Sequence, residues 1–327
     1  MQRCQTVTRG ISSSSTTASD LEWVLDDRKF PVLARLRADP RSAHQIAREI
    51  LISCENLAPI KPRYSFESLY RLLTESSIVV EEILRRGEIS GFSEVLVHFA
   101  TSKYFENLSF HPYGVRTLTT ILSTADRRGM ESILHLISLK ISNLSRSPIG
   151  YRLVMHALSC VPSSKILLPC ISSIAGDLAV HPVGYRVVVA AVERANSQAL
   201  GFLEGVISRK FQVLVSSKFG CRVLLHVLRR STTPGHSQAD VYSTIILDKW
   251  GPPTVIAATN SEHAAEVLVG VLRSCRVESR KLILSRLWLS RPLKEVLQTG
   301  TAIALFGQTC GWLDDESFRV VASQFGS

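Results

Sequence analysis

Four segments of the chain align without a gap on a glycine: SFHPYGVRTLTTIL (109–122), SRSPIGYRLVMHAL (145–158), AVHPVGYRVVVAAV (179–192) and VSSKFGCRVLLHVL (215–228). The glycines are Gly114, Gly150, Gly184 and Gly220, in steps of 36, 34 and 36 residues. Weaker copies extend the register outward to Ser42 and Ser76 on one side and to Ala264 and Gly300 on the other, which makes eight. One step is long, from Gly220 to Ala264, and its extra residues include the Ser/Thr/Pro/Gly-rich stretch 231–240, a surface loop by composition. A chain that repeats at this period stacks its units side by side, because one unit alone cannot bury its apolar face.

The spacing of apolar side chains says what the unit is. Counted from the anchor, they fall three, four, seven and eight residues on, as in Leu153, Val154, Ala157 and Leu158, or Val223, Leu224, Val227 and Leu228. That is one stripe of a 3.6-residue helix. Pro112, Pro148 and Pro182 stand just before the anchor, each after His or Ser, and this order marks a helix start. Further helical stretches at 129–140, 166–174 and 199–208 lie between the anchor helices, so each unit holds two or three helices. The expected fold is all-α, a right-handed superhelical solenoid or crescent of about eight repeats. Residues 20–327 form it.

Residues 1–19 stand apart, with Arg3 and Arg9, no acidic residue, and the run 12–17 of Ser and Thr. This composition fits a disordered tail and equally an organellar transit peptide. The expected location is intracellular, with the mitochondrion as the alternative if the tail is a targeting segment.

The net charge of +10 favours an acidic partner, nucleic acid first, over plain solubility. The longest apolar stretches, near 186–192 and 303–306, are far too short to cross a bilayer. Seven scattered cysteines have no C-x-x-C spacing, and the nine histidines show no H-x-x-x-H, so neither a metal site nor a disulfide framework is expected. The cysteines read as buried small residues. No phosphate-binding loop, dinucleotide fingerprint or nucleophile elbow occurs, and the chain gives no support for an enzyme, a cofactor or a small-molecule substrate. A monomer is expected.

The sequence Gly-x-Arg-x-Val/Leu at the anchors, carried by Gly114-Val115-Arg116, Gly150-Tyr151-Arg152, Gly184-Tyr185-Arg186 and Gly220-Cys221-Arg222, resembles the Pumilio (PUF) repeat. The resemblance implies an RNA-binding solenoid in which each repeat reads one base with a few side chains. In that family the residue two after the glycine stacks between bases, which here would be Arg116, Arg152, Arg186 and Arg222. Residues one and five after it touch the base edge. This chain departs from the pattern at the fifth position, where the usual polar residue is replaced by Thr119, Met155, Val189 and Leu225, and by Ala47, Val269 and Leu305 in the outer repeats, leaving only Glu81. Apolar side chains cannot pair with base donors and acceptors. The resemblance is therefore closer to the nucleolar, non-sequence-specific members of the family. It implies binding of single-stranded or structured RNA, including ribosomal RNA, in ribonucleoprotein assembly or RNA processing, with assembly proteins as further partners.

Two other readings stay open. An apolar groove could grip a partner helix, as in armadillo or HEAT scaffolds, or the chain could be a sequence-specific regulator of messenger RNA. The recurring arginines could equally form salt bridges between repeats. Tyr151 and Tyr185 could stack on bases or fill space beside small neighbours. The basic groups Arg85-Arg86, Arg127-Arg128, Arg229-Arg230 and Arg273, Arg276, Arg280 and Lys281 lie near helix ends, either as a solvated face or as a phosphate-binding edge.

Overall fold

The structure is a computed structural model that describes residues 45–47, 70, 73, 74, 77–86, 92–160, 163–195, 197–230, 238–251, 255, 261–289 and 296–323. The tail 1–19 and the anchors Ser42 and Ser76 lie outside the described residues. So does most of the expected loop, 231–237. The chain divides into two compact units, residues 1–133 and 134–327. Helices make up both, and no strand occurs among the described residues. None of the described helices is long and apolar enough to cross a membrane.

In the first unit, α1 (Ser77–Arg86), α2 (Phe92–Ala100) and α3 (Phe105–Ser109) pack on α4 (Pro112–Thr124), and α5 (Arg127–Leu139) follows, with the unit boundary inside it. The second unit continues with α6 (Ile141–Arg146), α7 (Tyr151–Ala157), α8 (Ser163–Ala179), α9 (Tyr185–Arg194), α10 (Ser197–Arg209), α11 (Phe211–Val215) and α12 (Lys218–Arg230). Then come α13 (Gln238–Lys249), α14 (Glu262–Ser274), α15 (Val277–Trp288), α16 (Gly300–Thr309) and α17 (Asp315–Ser323). The anchor helices α7, α9, α12, α14 and α16 form a row in which each packs against the next.

The apolar stripe is the reason for that row. Leu153, Val154, Val187, Val188, Val223, Leu224, Val267 and Leu268 are all fully buried. Each such side chain contributes about 1.5–3 kcal/mol by leaving water. The equivalent position in α4 is Thr117, also fully buried, and its hydroxyl donates to the Leu73 carbonyl at 2.8 Å, so no polar atom is stranded. Behind the row, Phe211 packs at a tilt against Tyr242 and Trp250 at centroid distances of 4.9 and 5.6 Å. Trp288 donates to the Thr309 hydroxyl at 3.2 Å.

The helix starts are capped as the Pro-containing pattern implies, with one difference. His111 precedes Pro112 and its Nδ1 accepts from the Gly114 amide, so α4 begins at the proline. At Pro148 and Pro182 the first turn is instead closed by i to i+3 bonds, such as Leu153 N to Gly150 O and Val187 N to Gly184 O, and regular helix begins at Tyr151 and Tyr185. The cap side chains cause this. Ser147 accepts from both Ile149 and Gly150, and His181 accepts from both Val183 and Gly184, which tightens the turn. A second correction concerns the loop expected over 231–240, because helix α13 already begins at Gln238. Gln238 is tied to Glu204 at 2.8 Å, and Asp240 holds the amide of Arg276.

Not every cysteine is buried. Cys221 and Cys275 are, while Cys160, Cys170 and Cys310 are only partly covered. No cluster of metal-binding side chains occurs among the described residues.

Candidate functional site

The anchor glycines bring α7, α9 and α12 close to the short segments before them, and this sets which side chains face outward together. Within the second unit a groove of about 600 Å³ is lined by Tyr151, Met155, Tyr185, Arg186, Val189, Arg222, Leu225, His226, Arg229 and Glu266. It thus unites residues at the first, second and fifth positions after three successive anchors. Met155, Val189 and Leu225, half-buried, are apolar elements of its lining.

Along one edge the tyrosines and arginines interlock. Arg186 Nη1 donates to the Tyr151 hydroxyl at 2.9 Å, and Arg222 Nη1 donates to the Tyr185 hydroxyl at 3.1 Å. The Arg186 guanidinium lies 5.4 Å from the Tyr151 ring centre and 5.9 Å from that of Tyr185, and Arg222 lies 5.7 Å from Tyr185. Phe219 stacks on Tyr185 at 5.3 Å, and Lys218 sits over Phe219 at 5.1 Å. The result is a ladder of alternating rings and guanidinium planes running from repeat to repeat. Both arginines are exposed, so the ladder offers charge and flat surfaces to solvent.

The ladder shifts the tyrosine hydroxyls. For Tyr151 the strongest influence is Arg152 beside it; burial opposes, Arg186 adds, and the net pKa lies below the ordinary value near 10. For Tyr185 burial is the largest influence and works upward, but hydrogen bonds from Arg186 and Arg222 outweigh it and the net is again lowered. Tyr242, sealed in the core, is pushed upward by burial. In a pH titration followed by tyrosinate absorbance, Tyr151 and Tyr185 should ionise before an ordinary tyrosine, and Arg186→Met should move both back up. Wild type and variant giving the same early phase would contradict this. Because the folded-state values are lowered, these two groups add stability only as the pH rises past the ordinary tyrosine value, and that gain is lost as the pH falls through the folded values.

The remaining site candidates sit differently. Arg116, in the first unit, forms an ion pair with Glu81 at 3.1 Å, so at this repeat the arginine does make an inter-repeat salt bridge. Glu81 is only 4% exposed and is also held by Arg85 at 3.5 Å. Its carboxylate is turned toward these arginines rather than open to a base edge. Thr119 donates to the Arg116 carbonyl at 2.7 Å. Arg152 is exposed on α7. Val269 and Leu305, 7% and 2% exposed, continue the fifth-position column but are nearly covered.

The basic pairs at helix ends divide into two groups. Arg229 lines the groove and also an adjoining pocket of about 470 Å³, where Glu266 and Arg273 join it. Arg230 instead donates to the carbonyls of Glu193 and Ala195, the latter at 2.7 Å, and so satisfies the end of α9, the anchor helix of the preceding repeat. Arg286 does the same for α13 through Leu247 and Trp250, the latter at 3.0 Å. Arg127 pairs with Glu131, Arg276 with Asp240 and Lys281 with Asp314. Arg280 covers the Trp312 ring at 5.5 Å.

No protein-family model matches the sequence, and no curated protein is similar to it by sequence. Solved structures do match in three dimensions. The Puf4 RNA-binding domain bound to the HO endonuclease RNA 3′ UTR recognition sequence superposes with a TM-score of 0.67 at 13% identity, over 88% of this chain and 90% of that one. PUF-8 in complex with PBE-RNA gives 0.62 at 17% identity, over 90% and 92%. The RNA-binding domain of yeast Puf5p bound to SMX2 RNA gives 0.61 at 10% identity, over 88% and 87%. Helix content, repeat spacing and these superpositions agree that the chain has the fold of the Pumilio-repeat structures.

Proposed function

We propose that the protein binds RNA in the groove of its second unit, through base faces and phosphates rather than base edges. The observation that carries this is the exposed ladder from Tyr151 through Arg186 and Tyr185 to Arg222. Guanidinium and aromatic planes stack on any base, and the arginine charges attract phosphate. Solved structures of the same fold, bound to RNA in the cases of Puf4, PUF-8 and Puf5p, support the reading. The floor of Met155, Val189 and Leu225 supports the second half of it, because such side chains offer bases no hydrogen bonds. A protein of this kind holds RNA of many sequences and suits ribonucleoprotein assembly, including that of ribosomal RNA, or RNA processing. The basic balance of the chain, +10, acts in the same direction.

The same apolar floor favours one competing reading. Arg222 and Arg229 stand seven residues apart along α12, about 10 Å, on either side of the floor. An acidic amphipathic helix would fit between them with its apolar face on the floor. A salt titration of binding to unstructured oligonucleotides decides between the two. RNA binding at low salt that weakens steeply as salt rises supports the first reading, and no RNA binding at low salt overturns it in favour of the second. Crosslinking and sequencing of bound RNA from cells then identifies the ligand.

A further inference from the structure

We propose that Glu266 ends the RNA track, so that the second unit engages only a short single-stranded segment, about three to four nucleotides at one per repeat. The inference rests on the RNA reading of the groove. Two anchor positions from one repeat after another carry it.

At the second position after the anchors of this unit the side chains run Arg152, Arg186, Arg222, then Glu266 and Ala302. The sign reverses at the fourth member. Glu266 is exposed on α14 and lines the groove together with Arg222 and Leu225. It also lines the next segment, of about 350 Å³, with Ala265, Val269, Thr301, Leu305 and Gln308. It therefore stands at the junction of the two. Among the described residues no cation lies within ion-pair distance of its carboxylate, although Arg229 and Arg273 line an adjoining pocket with it. Glu262, one turn earlier, borders the same second segment.

The tyrosine column stops at the same place. At the first position after each anchor, Tyr151 and Tyr185 give way to Cys221, which is buried, then to Ala265 and Thr301. Phe219 already stacks on Tyr185, and the same position in the next repeat holds the smaller ring of His263. A strand leaving Arg222 thus meets a smaller stacking surface and a negative charge within one repeat. Like charges at this range oppose each other most at low salt. Arg229 and Arg273 share that pocket with Glu266, but they stand seven residues further along their helices than Arg222 and Glu266, about two turns from the ladder.

The test measures fluorescence anisotropy of labelled oligouridylates from about three to about eight nucleotides on the full chain at low salt. Wild type should gain affinity up to about four nucleotides and less than about twofold for each one beyond. Glu266→Arg should gain roughly fivefold on the next nucleotide, the lower end of what one stacked base contributes, and its salt slope should steepen by about 0.7. Glu266→Gln, which removes only the repulsion, should fall between them. The position is exposed, so thermal melts should confirm that both variants fold. No wild-type binding at any length overturns the RNA reading and the inference with it. Wild-type affinity that keeps climbing to the longest oligonucleotide, or a Glu266→Arg length profile equal to that of wild type, overturns the role of Glu266 and leaves the RNA reading standing.

Discussion

Replacing Arg152, Arg186 and Arg222 together by alanine is expected to weaken binding of a single-stranded oligonucleotide by about a hundredfold and to lower the salt slope by about 2, since each lost phosphate contact on a single strand is worth about 0.7. The arginines are exposed, so the loss should leave stability nearly unchanged. Two of the three are also pre-placed. Arg186 and Arg222 are held by the hydroxyls of Tyr151 and Tyr185 in the preceding repeat, which fixes the guanidinium planes before a ligand arrives. The double variant Tyr151→Phe with Tyr185→Phe keeps both rings and removes only these anchors. It should cost roughly threefold to tenfold in affinity with the salt slope intact, about 1 kcal/mol in all, because these hydrogen bonds order the guanidinium groups without touching the ligand. Base substitutions in the oligonucleotide should matter little, because the groove floor has no polar side chain at its fifth positions. A change of tenfold or more on swapping one base, the size of a lost edge contact of about 1–3 kcal/mol, would show that base reading survives after all. An unchanged salt slope in the triple variant would remove these arginines from the interface.

The packing of this protein was open to reading from its sequence, while the partners of its charged groups were not. The stripe at the third, fourth, seventh and eighth positions buries as its period demands, because helix periodicity is a local property. His111 caps a helix, as its place before proline indicates, while His181 closes the tight turn that precedes one. The arginine column was visible too, but three of its four members meet a residue 35 to 37 positions away, with Arg116 on Glu81, Arg186 on Tyr151 and Arg222 on Tyr185. Such pairings depend on the axial stagger between neighbouring helices, which packing sets and no local pattern records. Glu81 looked like the last base reader, yet burial beside two arginines makes it the acid of an ion-pair cluster. Arg230 was read only as part of a solvated face or a phosphate-binding edge, yet it reaches back about one repeat to satisfy carbonyls, as Arg286 also does. The signal that could have found them is their own recurrence, about one repeat beyond the end of a helix that lacks a capping residue.

Gly220→Ala is expected to destabilise the second unit by about 3 kcal/mol and to lower its melting temperature by about 6–12 °C, at roughly 2–4 °C per kcal/mol for a body of this size. A methyl group built on Gly220 would stand 2.3 Å from the Leu214 carbonyl oxygen, 2.6 Å from its Cα and 2.8 Å from its carbonyl carbon. These are backbone atoms, so no rotamer change relieves the clash. Leu214 belongs to α11, which is fastened by Phe211 against Tyr242 and Trp250, and the helix has little room to retreat. The anchor glycine is thus required by the close approach of two helices. The other anchors should follow their own distances. Gly114→Ala, with Leu108 backbone at 2.5 Å, should cost nearly as much within the first unit. Gly184→Ala and Gly150→Ala meet a leucine methyl first, at 2.9 and 3.0 Å, and should cost less because a side chain can turn. Gly205, inside α10 with nothing within 4 Å, is the control, and Gly205→Ala should raise stability by about 0.5–1 kcal/mol through helix propensity. Calorimetric or circular-dichroism melts of the series would check this order. A Gly220→Ala protein that melts with wild type would mean that α11 yields to the methyl, and that the repeating glycine owes its place to something other than the helix contact it makes.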